Sequence, residues 1–448
     1  MKTTSRGWRS GKHHGLSALG LVACVVGGTV ACDTSGLLEV SLPGRVTEDA
    51  LDNPRLARTL VVSVINDVEC AWNNYVAASS HHSDEWIGTS GGTGRRWGLR
   101  DISPTFNIYV SGDCSSNYGL FTPLHIARSQ AENAYLRLQG FSEDDVPQRT
   151  EFLATVRAYG GFPLVAFGET FCGTPLDGED RVRSGPEILQ VAEERFTDAI
   201  QLATQAGRAD LLNLSLVGRA RARLGLGDYS GAISDAERVP PGFRFNATRD
   251  ESPARRQNAH YRYVAAGEGR PESQKHATVA FSYRNVEWKG VPDPRVNVRF
   301  DGGVGFDFAT AHWTHDKMTH GFSTPVRMAS WEEAQMFIAE AAAITGDLDR
   351  ARSILNEFHL RAGIPPVTSD DIPTQSDVIR HVIEQRRREF FVEGGHRLRD
   401  HLRWRGTEFQ IPFLGEPGSD FPNGEDQTGQ PYEGTTCWPL PSIEEIGG

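Results

Sequence analysis

The chain has 448 residues, 38% of them hydrophobic and 23% charged, enough for one large domain or two ordinary ones. Its formal net charge of −12 excludes a global basic footprint for nucleic acid.

The first 32 residues stand apart. Lys2, Arg6, Arg9 and Lys12 form a basic stretch, and Gly15 to Ala31 then runs without a charge. That run is short for a spanning helix and rich in Gly and Ala, so residues 1–31 read as a signal peptide. It ends at Cys32, the expected lipidation site. Cys24 after Leu21-Val22-Ala23 is the alternative, but cleavage there leaves a very short apolar region. Export permits disulfides. Of the remaining Cys70, Cys114, Cys172 and Cys437, Cys70 with Cys114 is the expected pair, since both lie in one loop-rich region. The spacing contains no CxxC and points to no zinc site.

Residues 65–120 hold Gly, Ser, Asn and Trp without steady period and read as long ordered loop. Gly88-Thr89-Ser90-Gly91-Gly92 has the letters of a nucleophile elbow, but Thr93-Gly94-Arg95-Arg96 is a poor helix start, so the reading is a loop. His81, His82, Asp84 and Glu85 are crowded without metalloenzyme spacing, and no metal or cofactor is expected. A helix is expected over about Ala127 to Arg157, broken near Gly140. Another begins at Ser184, where Glu187 completes a capping box.

Ala220, Ala222, Gly227, Asp228 and Ala232 match Ala339, Ala341, Gly346, Asp347 and Ala351 at a constant offset. Small residues at helix crossings and a Gly-Asp corner are the pattern of a tetratricopeptide hairpin. Ser330 and Glu333 fit a capping box ahead of the later hairpin. Residues 240–325, rich in Pro, Gly, Arg and aromatics, read as loops with short strands. The expected fold is mainly α: tetratricopeptide-like hairpins in a right-handed superhelix with long loop-rich insertions. The scaffold occupies about 120–240 and 328–406, and the ligand loops about 65–120 and 240–327, all in one domain from residue 32 to 448.

The last block is the most telling: EAQMFIAEAAAITGDLDRARSILNEFHLRAG, then EQRRREFFVEGGHRLRDHLRWRG, then CWPLPSIEEI. Ile379, Val382, Ile383 and Phe390 form an apolar face on which Arg386 falls. A buried arginine demands a carboxylate, so Arg386, Arg397 or Arg403 should pair with Glu389, Glu393 or Asp400.

Together with the lipobox-like cysteine and LLEVSLPGRVTEDAL, this succession resembles the SusD/RagB family. The resemblance is strong from Trp331 to Gly406 and weak between 240 and 325. His396 and His401 depart from the usual pattern. The resemblance implies an outer-membrane, cell-surface lipoprotein without catalysis. Such a protein binds an oligosaccharide or a peptide and acts as a lid on a SusC-like TonB-dependent porin. Sugar rings stack on aromatic faces, which makes Trp72, Tyr75, Asp84, Trp86, Trp97, Trp288 and Trp313 the ligand-binding candidates. Tyr118 belongs to the same aromatic loops. Two other readings are a secreted carbohydrate-active hydrolase with a helical accessory region and a tetratricopeptide scaffold at the envelope.

Overall fold

The computed structural model describes residues 49–115, 119–264 and 275–442. Tyr118 and the expected signal peptide with Cys24 and Cys32 lie outside the described residues. The helices are α1 (Ala57–His82), α2 (Thr93–Gly98), α3 (Asn107–Ser111), α4 (Phe121–Gly140), α5 (Arg149–Thr170), α6 (Gly185–Gln205), α7 (Ala209–Leu226) and α8 (Tyr229–Ala236). After an irregular region come α9 (Ala259–Val264), α10 (Trp331–Thr345), α11 (Leu348–Ala362), α12 (Gln375–Glu389) and α13 (His396–Arg403). The fold is mainly α.

The hairpin pairs α7–α8 and α10–α11 share one device. Gly227 and Gly346 end the first helix of each pair with φ of 79° and 91°. That conformation is nearly free for glycine and strained for other residues. Asp228 and Asp347 then cap the second helix, accepting from the Gly231 and Arg350 amides. Ala220, Ala222, Ala339 and Ala341 are fully buried, so the backbones approach closely. Ser184 and Glu187 form the complete capping box at the start of α6. At α10 only half of that motif is made. Ser330 accepts from the Glu333 amide, but the Glu333 carboxylate turns inward toward Arg221 and His396.

The loop reading of residues 65–120 is overturned at its start. Residues 57–82 form one 26-residue helix, α1. From Val68 to His82 every residue of it is buried. A helix covered on all sides carries no single apolar stripe, so polar and small residues there concealed it. β1 (Trp86–Gly88) and α2 flank the Gly88–Gly92 run, so the strand and helix judged absent from the sequence are present. Ser90 is nevertheless buried and not presented to solvent as an elbow nucleophile is.

The strands pair only in twos. β1 joins β3 (Ala277–Val279), and β2 (Arg244–Ala247) joins β8 (Val326–Ser330). β4 (Glu287–Trp288) joins β5 (Val291–Pro292), and β6 (Val298–Val304) joins β7 (Ala311–His315). Disulfides link Cys70 to Cys114 and Cys172 to Cys437. The second ties the C-terminal segment to the end of α5, where Phe171 and Trp438 also form a β-bridge.

Candidate functional site

The signature segment is an electrostatic lock. Arg386, fully buried, donates to both Asp400 oxygens at 3.0 Å and lies 3.3 Å from Glu340. Arg403 bridges the same two acids. Arg397 pairs instead with Asp84 at the end of α1, and His401 approaches the same carboxylate at 3.1 Å. Glu389 and Glu393 face Arg295 and Lys317, at 3.6 and 3.1 Å. So Asp400 is the shared partner of Arg386 and Arg403, while Glu340 and Asp84 are partners that lie outside the segment. Burial alone would raise Asp84, but Arg397 and His401 outweigh it and hold the carboxyl well below its ordinary range.

The glycine pair before α13 belongs to this lock. Gly395 has φ of 71°, and a Cβ there would lie 2.5 Å from the Tyr75 hydroxyl. Only glycine lets α1 pack so closely against the signature segment.

The ligand candidates separate into two groups. Trp72, Tyr75, Trp86 and Trp97 are at most 1% exposed. The Trp72 indole donates to the Arg327 carbonyl, and its ring meets Phe162 edge-on. Trp86 packs against His260 and His315, and Trp97 against Trp438 and Tyr109. Asp84 is committed to Arg397. These five side chains build the core, and none offers a face for a sugar. The crowded His82 and Glu85 are likewise buried: His82 contacts the Thr436 carbonyl, and Glu85 accepts from the Val392 amide. Trp288 is half-buried against His359 and His381 in the C-terminal helical layer.

Trp313 lies differently. It stands half-buried on β7, directly opposite Phe300 on β6, with ring centroids 5.8 Å apart. Phe300 is 50% exposed. The Arg284 guanidinium sits 4.9 Å over Trp313 and 4.3 Å over Phe281, held in place by bonds to the Val279 carbonyl. Phe281, 43% exposed, meets Phe421 at 5.4 Å. Phe300, Trp313, Arg284, Phe281 and Phe421 therefore form a continuous row. It starts on the β6–β7 hairpin and ends beside the signature helix.

There the row meets a cleft of about 990 Å³ lined by Arg380, Ile383 and Arg387 of α12 and by Phe409, Ile411 and Asp420 of the C-terminal loop. The Ser282 amide donates to Asp420, which pins the Phe281 turn to the cleft wall. The acids along it are engaged. Glu384, against the pull of burial, is held at about 2 by Arg387 and Arg388. Such a surface offers ring faces, an arginine and fixed anions: it suits stacking and hydrogen bonding. The phenylalanines were missed in the sequence because attention went to Trp and Tyr. Their signal was the alternation of β6, which sends Phe300 to the face opposite the core.

A tetratricopeptide-like helical scaffold carrying an aromatic strip on its strand-bearing insertion defines a non-covalent binding protein. Residues 333–436 match the SusD family model. The fold agrees over most of the chain. A SusD superfamily protein from Bacteroides thetaiotaomicron superposes with a TM-score of 0.65 at 13% identity, covering 88% of this chain and 98% of its own. A SusD-like carbohydrate-binding protein from Bacteroides vulgatus gives 0.64 at 14%, over 88% and 96%. Surface glycan-binding protein A from B. thetaiotaomicron, solved with laminarihexaose, gives 0.64 at 13%, over 88% and 97%. No curated protein matches the sequence. The chain is a SusD/RagB family protein by its signature block and by its fold.

Proposed function

We propose that this protein binds an oligosaccharide along the row from Phe300 to Phe421 and delivers it, without catalysis, to a SusC-like TonB-dependent transporter. The observation that carries this reading is the exposed cross-strand pair Phe300–Trp313, joined through Arg284 to Phe281. Ring faces at intervals along an open surface suit a chain of sugars better than a compact ligand. The structural similarity to a protein solved with laminarihexaose supports a glycan. The engagement of Asp84 and Glu384 in ion pairs supports binding over hydrolysis, since a glycosidase needs one carboxyl kept protonated. The scaffold is anchored, on this reading, through a lipid on Cys32 or, failing that, Cys24, at the outer face of the outer membrane. Among the described residues no helix is long and apolar enough to cross a membrane.

Affinity electrophoresis on a glycan panel that includes laminarin tests the site. Trp313→Ala and Phe281→Ala should each weaken retention by about tenfold, the scale of one lost stacking contact. A panel that is silent, or retention that ignores both substitutions, would overturn the glycan assignment. Co-purification of a large barrel partner from outer membranes tests the delivery step.

A further inference from the structure

A second cavity lies within the helical scaffold, away from the aromatic row. It holds about 1080 Å³ and is lined by the ends of α5, α7 and α10, the start of α6, and α13. Leu189, Leu224 and Leu402 supply apolar wall. Arg399 and Trp404 supply something else.

Arg399 is 2% exposed. Its Nη1 and Nη2 have no hydrogen-bond partner among the described residues. Its one ion-pair contact is Nε to Glu169 at 3.2 Å. Glu169 is already held by Arg221, through bonds of 2.9 and 2.6 Å to its two oxygens. Arg399 thus shares one carboxylate with a better-placed arginine. Its neighbour Arg403 is matched by Glu340 and Asp400, so the charge deficit is local to Arg399. Burial draws Arg399 down to about 10. The Trp404 indole nitrogen, at the same cavity, also lacks a partner among the described residues. Both groups are donors only. Unpartnered buried donors are costly, and two kinds of them at one cavity mark a place for an acceptor.

The helix ends narrow the choice. α5, α7 and α10 finish at this cavity, and the last carbonyls of a helix are acceptors that its own ladder leaves free. An occupant that fits must join an anionic acceptor, planar to suit a guanidinium, with hydroxyl donors. Gly225 keeps the approach open: a Cβ there would lie 2.7 Å from Leu189 and 3.4 Å from Arg399 Nη2.

We propose that this cavity binds a hydroxylated carboxylate of the uronic-acid class, its carboxylate taken by Arg399 and Trp404. Reaching it requires the guanidinium to turn toward the cavity, which gives up only the Nε contact with Glu169. The site is independent of the aromatic row.

Calorimetric titration of the full chain with D-glucuronate, D-glucose and N-acetyl-leucine tests this. D-glucuronate should bind and D-glucose, which lacks the carboxylate, should not. Arg399→Gln should weaken D-glucuronate by at least about tenfold, and Trp404→Phe, which keeps the ring and removes the donor, by about threefold or more. Trp404 is half-buried, so its variant remains informative if Arg399→Gln fails to fold. Trp313→Ala should leave D-glucuronate binding unchanged. Equal binding of D-glucose, or no effect of Trp404→Phe together with an unaffected or unfolded Arg399→Gln, would overturn the site. N-acetyl-leucine binding as tightly as D-glucuronate would overturn the hydroxy-acid assignment.

Discussion

The Arg397 guanidinium meets Asp84 where α1 ends, and His401 closes on the same carboxylate. Removing one partner leaves the other charged and buried, which costs far more than the pair contributes. Arg397→Met should therefore lower unfolding free energy by about 3–5 kcal/mol in a urea titration, and adding Asp84→Asn should recover part of it. Glu85, next in sequence, behaves in the opposite sense. Burial raises its carboxyl from 4.5 to about 7, against the opposing bond from the Val392 amide. The folded state then holds a proton that the unfolded state has released. Its contribution to stability is present below pH 4.5 and is lost as pH rises toward 7. Glu333, also raised to about 7 by burial, adds to the same window. Glu85→Gln should flatten the decline between those values without abolishing it, by up to about 3 kcal/mol at pH 8. Denaturant midpoints measured from pH 4 to 8 check this; an unchanged slope would mean Glu85 does not hold the proton.

At the scale of elements, the Gly-Asp corner sets the hairpins. Asp347→Ala and Asp228→Ala each remove a side-chain acceptor from a helix start and should each cost about 1 kcal/mol in the same assay. The two sites lie in different hairpins, so the double variant should be near additive. These corners were legible in the sequence because glycine and aspartate act through local backbone needs. So was Arg386, whose place on an apolar face required a buried acid. Its partner Glu340 was not, since it comes from another helix and no spacing rule connects them. α1 was illegible for a related reason: it is buried on every side, so its tryptophans serve the core while looking like loop aromatics. The same confusion placed Trp72, Tyr75, Trp86 and Trp97 in a ligand site. Trp313 stands on the exposed hairpin, and the phenylalanines that complete its row carry no polar handle to draw notice.

For the whole molecule, the two disulfides divide the work unequally. Cys70–Cys114 closes a separation of 44 residues and Cys172–Cys437 one of 265. In the chain-entropy account, stabilisation grows as 1.5RT ln n, so the longer closure is worth about 1–2 kcal/mol more. The longer bond also fastens Trp438, whose ring is buried against Trp97, Tyr75 and Phe171. Cys172→Ser with Cys437→Ser should thus lower stability by more than Cys70→Ser with Cys114→Ser, each within about 2–5 kcal/mol. It should also make the segment after Asp426 the first to be cut in limited proteolysis. That segment contacts the cleft through Arg95–Asp426 and the packing of Tyr432 on Phe421, which in turn supports Phe281. Loosening it should weaken glycan retention alongside stability, whereas loss of Cys70–Cys114 should lower stability alone. Equal retention in both double variants would show that the aromatic row does not depend on the C-terminal tether.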